Sequence, residues 1–142
     1  MRPLIPSIFT KLEQYFSVIT ALTKLANVLW TRELQKRVDA AGAEIACIAV
    51  DPGLVNTFAS RMPFPWVAAV LFKLFFEVPE VGAHNPCFAA AAPEVREDRE
   101  KWKGTYLEPV GSIAEPSENA RRAGLAKELW DTTERIVEDL KV

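Results

Sequence analysis

A lysine and a Pro-Gly loop, with a predicted strand between them, are the residues of this sequence whose types and order could support chemistry. Lys24 lies on the first turn of a predicted amphipathic helix. The near-continuous apolar run at residues 44–50 predicts a strand covered on both faces, and Asp51, Pro52 and Gly53 follow it directly. Open α/β sheets bind ligands in the loops at the carboxyl ends of their parallel strands. The order of helix, strand and Pro-Gly loop therefore indicates a ligand site.

A broad apolar face predicts that the helix carrying the lysine covers residues 22–41. At 100° per residue, Lys24 lies nearly opposite the centre of this face, so periodicity alone predicts a solvent-exposed amine. Residues 1–20 also have apolar spacings typical of a helix that runs into this one. Pro3 and Pro6 disfavour a helix that begins early. The apolar face consists of Leu22, Leu25, Ala26, Leu29, Trp30, Leu34 and Val38.

The middle of the chain predicts two more helices. Residues 66–76 form a short apolar segment, and residues 79–92 predict a helix that Pro86 kinks or restarts. Residues 94–103 are rich in charge and predict a surface connection between elements. Along the chain, predicted helical segments thus precede and follow the predicted strand.

The last third of the chain predicts a second strand and a final helix. Residues 104–111 have the composition of a short strand that ends in a turn, and Ser117 is the expected N-cap of the last helix. Alternation of helices and strands favours an α/β layered domain with a parallel sheet. Two strands are too few for an independently stable sheet, so the pattern predicts part of a larger one.

Composition and charge exclude several classes of function. The 142 residues fit one domain, with 49% hydrophobic and 25% charged residues, as in soluble globular proteins. A net charge of −2 without a dominant basic face argues against nucleic-acid binding. Cys47 and Cys87 predict two buried free thiols in a reducing compartment. His84 has no ligand-spaced partner, so no metal site is expected.

The apolar segments of the chain do not predict a secretory signal or a membrane span. Lys11, Glu13 and Gln14 interrupt the apolar region near the N-terminus. The segment at residues 66–76 is shorter than the roughly 20 residues that a membrane-spanning helix needs. A cytoplasmic protein is therefore expected.

Two motifs together resemble the C-terminal portion of a short-chain dehydrogenase/reductase, in the retinol-dehydrogenase-like branch common in fungi. The resemblance implies a partial Rossmann-like, doubly wound α/β fold in which few parallel strands are flanked by helices. Residues 1–20 are then a divergent N-terminal segment, and residues 21–142 are the C-terminal half of an NAD(P)-binding domain. The segments that carry the resemblance are TKLANVL at residues 23–29 with REL at 32–34, VDPGLVNT at 50–57, GTY at 104–106 and LW at 129–130.

The resemblance implies hydride transfer between NADP or NAD and a small lipophilic carbonyl compound or alcohol. In this family a lysine binds the nicotinamide ribose and lowers the pKa of a catalytic tyrosine one helical turn before it, and Lys24 matches that lysine. Pro52 and Gly53 match the family's Pro-Gly loop. Val55 and Thr57 match the following positions, which contact the nicotinamide and its carboxamide or phosphate.

Two departures from the family pattern concern the catalytic acid and the phosphate cradle. Thr20 lies four residues before Lys24, where the family has tyrosine, and an aliphatic hydroxyl is a poorer proton donor than a phenol. Tyr15 lies about 180° from Lys24 on a continuous helix, and Ser17 is only near the position of a catalytic serine. The glycines form no Gly-rich turn that could bind a pyrophosphate. Cofactor binding is therefore expected to be weak or absent.

Three hypotheses about function follow. The first is an NAD(P)-dependent oxidoreductase whose sequence is truncated or comes from a misread gene model. The second is a non-catalytic remnant or pseudo-enzyme that forms a homo- or hetero-oligomer through an unpaired sheet edge and an uncovered apolar face. The third is a peripheral membrane contact through residues 66–76, for which the alternative role is a helix beside a pocket for a lipophilic substrate.

Overall fold

The computed structural model describes residues 4–53, 55, 77–109 and 111–140. The chain divides into two compact units, of which the first comprises Met1–Glu33 with Pro116–Val142 and the second Leu34–Glu115. The apolar helix predicted at residues 66–76 and the predicted cofactor contact Thr57 lie outside the described residues.

Helix α1 (Leu4–Ala40) is continuous and begins much earlier than the pattern at residues 22–41 alone predicts. Pro6 lies in its first turn, where a proline removes no intrahelical hydrogen bond, so it does not prevent the early start. The predicted continuity with the segment before residue 20 is confirmed. The helix ends at Gly42, which adopts a φ of 69°, and the Ala43 N–H donates to the Val38 carbonyl at 3.1 Å, as in a Schellman motif.

A mixed sheet of three short strands lies in the second unit, in the order β1, β2, β3. Strand β1 (Ala49–Val50) pairs in parallel with β2 (Tyr106–Glu108), which confirms the two predicted strands. Strand β3 (Ser112–Ala114) pairs antiparallel with β2 and was not predicted, because three residues are too few to show periodicity. The α/β class is thus confirmed, but the described sheet is mixed and not wholly parallel as expected.

Among the described residues after β1, the second unit contains four short helices, and they correct one prediction. The helix predicted at residues 79–92 is interrupted at Ala83 and begins again at His84 with Pro86 in its first turn, which agrees with the predicted restart at this proline. The prediction of a surface connection at residues 94–103 is wrong, because this segment lies mostly within two helices. The four helices are α2 (Pro79–Gly82), α3 (His84–Ala91), α4 (Pro93–Glu97) and α5 (Arg99–Trp102).

The apolar core of the second unit forms around Val95, Trp102 and Leu107. Val95 and Trp102 belong to the segment predicted as a surface connection, yet they are only 8% and 5% exposed. The rings of Phe88 and Trp102 meet edge to face with their centroids 5.5 Å apart, and the Trp102 indole N–H donates to the Glu94 carbonyl at 3.2 Å. Leu107 is fully buried, so this core fixes β2 and, through the ladder, β1.

Gln35 ties the C-terminal part of α1 to the segment that leads into β1. Its amide nitrogen donates to the Asp39 carboxylate at 2.9 Å and to the Ile45 carbonyl at 3.0 Å. Its amide oxygen accepts from the Cys47 N–H at 2.6 Å. Because a side chain takes this N–H, the regular ladder begins only at Ala49, and β1 is shorter than the seven residues predicted.

In the first unit, two helices from the end of the chain accompany α1. Ser117 caps α6 (Glu118–Arg121) by accepting from the Ala120 N–H at 3.4 Å, so the predicted cap serves a separate short helix before the last one. Gly124, with a φ of 85°, precedes α7 (Leu125–Asp139). The indole rings of Trp30 and Trp130 stack with their centroids 4.0 Å apart. The Arg32 guanidinium also donates to the Ala120 carbonyl.

We predict that Gln35→Ala lowers the free energy of unfolding by about 1 kcal/mol, because it leaves a part-buried N–H and a part-buried carbonyl without their partner. Urea denaturation followed by circular dichroism measures this change. Gln14→Ala makes the same substitution at an exposed position of α1 and should change stability by less than about 0.5 kcal/mol. Equal effects of the two substitutions would contradict the structural role of Gln35.

Candidate functional site

The predicted Pro-Gly loop is organised around Asp51. The Asp51 N–H donates to the Leu107 carbonyl at 2.8 Å, which extends the parallel pairing one residue beyond β1. The Asp51 side-chain oxygen Oδ1 accepts from the Gly53 N–H at 2.8 Å, which closes a tight turn around Pro52. Gly53 adopts a φ of 77°, and a Cβ atom there would lie 3.2 Å from Pro109. The aspartate and the glycine together therefore specify the shape of the loop.

Tyr106 holds the second carboxylate oxygen of Asp51. This half-buried tyrosine lies on β2, and its hydroxyl donates to Asp51 Oδ2 at 3.1 Å. Burial raises the pKa of the Tyr106 phenol, and the negative charges of Asp51 and Glu108 and the hydrogen bond to Asp51 raise it further. The phenol is therefore a protonated donor at neutral pH, and it restrains the carboxylate that shapes the loop.

Asn85 is the most deeply buried polar residue that contacts this loop, with 1% of its surface exposed. From α3, its amide nitrogen donates to the Asp51 carbonyl at 2.7 Å and to the Leu107 carbonyl at 3.3 Å. Its amide oxygen accepts from the Gly111 N–H at 2.9 Å. One side chain thus joins the end of β1, the end of β2 and the turn that leads to β3.

Val55 lies beyond the turn and packs against α2. It forms an isolated parallel bridge with Glu77. A Cβ atom at Gly82 would lie 2.3 Å from Val55 Cγ2, so only glycine allows the helix to approach this closely. The predicted cofactor contacts Pro52, Gly53 and Val55 therefore belong to one segment of the second unit.

Lys24 lies on α1 in the first unit, where its side chain is exposed as periodicity predicts. Thr20, one turn earlier, is also exposed, and its backbone carbonyl accepts from the Thr23 hydroxyl at 2.9 Å. Tyr15 and Ser17 are exposed as well. The position of the family's tyrosine therefore carries an accessible threonine hydroxyl, and the chain presents an accessible amine one turn beyond it.

Asn85 and Tyr106 were not predicted from the sequence as parts of the loop structure. Asn85 follows Asp51 by 34 residues, so no local pattern links the two. The available signal was compositional, because asparagine is a poor helix former in a helix otherwise rich in alanine. Tyr106 was recognised only as part of a predicted strand and of the GTY segment that carries the family resemblance.

Other residues that could support chemistry remain isolated. Within the described part of the chain, no three or more His, Cys, Asp or Glu side chains are placed to hold a metal ion. Cys87 is exposed, so the prediction that both thiols are buried is wrong for this residue. Burial and the charge of Asp39 raise the pKa of the Cys47 thiol. No helix among the described residues has the length and apolar character required to cross a bilayer.

We predict that Tyr106→Phe removes part of the alkaline pH dependence of stability. Because the pKa of Tyr106 is raised in the folded chain, the folded state binds this proton more tightly than the unfolded state. The resulting stability is complete below the ordinary tyrosine pKa of about 10 and is lost as pH rises through the higher folded pKa.

Urea denaturation between about pH 9 and pH 11 measures this dependence. The free energy of unfolding of the unsubstituted protein should fall more steeply with pH than that of the variant. Tyr15→Phe, at a tyrosine that is 67% exposed, is the matched control. Parallel slopes for Tyr106→Phe and the unsubstituted protein would contradict the prediction.

Comparison with known proteins identifies relatives of one family. No protein-family profile matches the chain, and no solved structure matches it. A short chain dehydrogenase/reductase of Macrophomina phaseolina is 43% identical over 120 residues, which cover 84% of this chain and 59% of that protein. A short-chain dehydrogenase/reductase of Armillaria gallica is 46% identical over 121 residues, covering 81% of this chain and 38% of the relative.

The name of a more distant relative agrees with the retinol-dehydrogenase-like branch that the sequence motifs indicated. Retinol dehydrogenase 14 of Homo sapiens is 33% identical over 124 residues, which cover 84% of this chain and 35% of that protein. The chain thus spans 35% to 59% of the lengths of these three relatives. This chain is homologous to the C-terminal portion of the short-chain dehydrogenase/reductases, as its lysine helix and Pro-Gly loop predicted.

Proposed function

We propose that this chain supplies the C-terminal part of the nicotinamide site of an NAD(P)-dependent oxidoreductase that acts on a carbonyl compound or an alcohol. The observation that carries the proposal is the turn at Asp51, Pro52 and Gly53. It lies at the carboxyl end of a parallel strand, in a chain homologous to short-chain dehydrogenase/reductases. We also propose that the domain to which this chain contributes has a complete doubly wound sheet.

The proposed cofactor contacts are those that the motifs indicate. Pro52, Gly53, Val55 and Thr57 contact the nicotinamide end, and the exposed ammonium of Lys24 donates hydrogen bonds to the ribose hydroxyls. The bound cofactor would supply or accept the hydride. Because the backbone of the turn is already fixed, the turn loses little conformational freedom when the nicotinamide end binds, which favours affinity.

The proton of the reaction distinguishes this chain from the family pattern. Reduction of a carbonyl requires a proton donor for the developing alkoxide. Thr20 offers an aliphatic hydroxyl at the position of the family's tyrosine, and this hydroxyl is far less acidic than a phenol. We therefore propose that catalysis by this chain is slow. We also propose that its cofactor affinity is low, because the glycines of this sequence form no Gly-rich turn that could bind a pyrophosphate.

The proposed substrate is a lipophilic alcohol or carbonyl compound. One relative is named a retinol dehydrogenase, and retinol is an apolar alcohol. Two free thiols, Cys47 and Cys87, suit a reducing compartment such as the cytoplasm, which we propose as the location.

A second candidate function, protein association without catalysis, is favoured by the surface of α1. Tyr15, Phe16, Ile19 and Leu22 are between 58% and 75% exposed, although all are large and apolar. A contiguous patch of exposed apolar surface commonly marks a site of protein interaction. This observation supports association with a second copy or with another chain, whether or not the site is active.

We predict that NADPH raises the melting temperature of the chain. A ligand at ten times its dissociation constant stabilises the folded state by about 1.4 kcal/mol, which differential scanning fluorimetry detects. Gly53→Ala should abolish the shift because alanine is strained at a φ of 77° and its Cβ approaches Pro109.

Gly42→Ala is the matched control for this experiment. Gly42 has a φ of 69° but open space around its Cβ position, so the substitution imposes similar backbone strain away from the loop. The control should keep the NADPH shift. Absence of a shift in the unsubstituted protein at millimolar NADPH would refute cofactor binding and favour the association hypothesis.

We also predict that Thr20→Tyr increases the rate of NADPH-dependent reduction of a lipophilic aldehyde such as retinal. General acid catalysis contributes about 100-fold or more in rate, so an increase of at least about 10-fold is expected. NADPH absorbance follows the reaction. Thr20→Phe adds a ring without a hydroxyl and should leave the rate unchanged. Equal rates for the two variants would contradict the role of Thr20 as the substituted acid.

A further inference from the structure

We propose that Asn85 is a positioning residue that sets the conformation in which the Pro-Gly loop meets the nicotinamide end of the cofactor. The inference rests on the proposed function and extends it to a residue on α3. Asn85 acts through the backbone of Asp51 and not by touching the cofactor.

The hydrogen bonds of Asn85 match the chemistry of an amide and of no other small side chain. Two backbone carbonyls, of Asp51 and Leu107, require donors, and the backbone N–H of Gly111 requires an acceptor. The amide group supplies both kinds of atom on one planar head. A carboxylate at this position would face two carbonyl oxygens with no proton to donate.

The burial of Asn85 indicates that these bonds are the reason for its presence. Its side chain is 1% exposed, and a buried amide is unfavourable unless its polar atoms are paired. It lies in a helix where alanine, which occurs four times in residues 84–92, forms better helix than asparagine. Neither helix formation nor apolar packing therefore accounts for an asparagine here.

The effect of Asn85 reaches the cofactor loop through Asp51. The amide fixes the Asp51 carbonyl at 2.7 Å, and the Asp51 carboxylate accepts from the Gly53 N–H at 2.8 Å and from the Tyr106 hydroxyl at 3.1 Å. The main chain and the side chain of Asp51 are thus held by different partners. Loss of the amide leaves the Asp51 carbonyl without this partner, so the turn that includes Gly53 gains alternative conformations.

A second feature ties the same amide to the neighbouring turn. Gly111 adopts a φ of 66°, and a Cβ atom there would lie 2.9 Å from the Phe88 ring. The Gly111 N–H that Asn85 accepts from therefore comes from a backbone packed tightly on α3. Asn85 is bonded to this turn and to the Leu107 carbonyl, and from this fixed position it donates to the Asp51 carbonyl at the end of β1.

The test compares Asn85→Ala with Val95→Ala, a core substitution in the same unit that makes no hydrogen bond to the loop. NMR on the full chain measures the hydrogen-exchange rate of the Gly53 amide relative to that of the Ala49 amide. Ala49 is the reference because the parallel ladder holds its nitrogen 2.9 Å from the Thr105 carbonyl oxygen. Asn85→Ala should accelerate exchange at Gly53 at least tenfold relative to Ala49. Val95→Ala should accelerate both amides to a similar extent.

NADPH titration by fluorescence provides the second readout. Asn85→Ala should raise the dissociation constant at least tenfold, whereas Val95→Ala should change it less than twofold. If Asn85→Ala does not fold, Asn85→Ser, which keeps one hydroxyl for these contacts, gives the same pair of measurements. An unchanged Gly53-to-Ala49 exchange ratio, or an equal rise of the dissociation constant in both variants, would overturn the inference.

The outcome separates the inference from the proposed function. If the unsubstituted protein binds no NADPH, the proposed function fails, and the exchange ratio still decides whether Asn85 positions the loop. If NADPH binds and Asn85→Ala leaves the exchange ratio and the affinity unchanged, the proposed function stands and the positioning role fails.

Discussion

Two buried side-chain amides complete a sheet whose strands are too short to be held by their backbone ladder alone. Strand β1 has two residues and forms few ladder bonds with β2. Gln35 binds the chain just before β1, at Cys47, and Asn85 binds it just after, at Asp51. Both side-chain amides pair their donor and acceptor atoms in surroundings that are at least partly buried. There a paired polar group specifies one conformation of the backbone, and an unpaired one costs free energy. The position of the strand therefore depends on both of them.

The candidate cofactor loop inherits its shape from this constraint. Asp51 is the last residue that pairs with β2, and its carboxylate also forms the turn with Gly53. The same carboxylate accepts from Tyr106, a protonated phenol at neutral pH because burial and nearby negative charge raise its pKa. The loop is therefore continuous with the sheet through one residue. This arrangement differs from a loop that owes its conformation to glycine alone.

The sequence was sufficient for features that depend on local residues and insufficient for those that depend on distant partners. The lysine helix, the two parallel strands, the Pro-Gly turn and the Ser117 cap follow from periodicity, β-branched composition and turn chemistry. The roles of Asn85 and Gln35 do not, because the partners through which they hold the sheet lie 10 to 34 residues away. Helices α4 and α5 were predicted as a surface connection because four or five residues show no stripe. Their core residues Val95 and Trp102 stand among charged neighbours.

The two parts of the proposed site differ in what this chain provides for each. The loop that would meet the nicotinamide is held by hydrogen bonds from Asn85 and Tyr106 to Asp51, and these described contacts all lie within the second unit. The proton donor is different, because Thr20 is exposed and its hydroxyl is intrinsically a weak acid. Structure around a threonine could orient it, but orientation does not provide the acidity of a phenol. The proposed cofactor binding and the proposed catalysis therefore depend on different parts of the chain, and a well-formed loop is compatible with slow chemistry or with none.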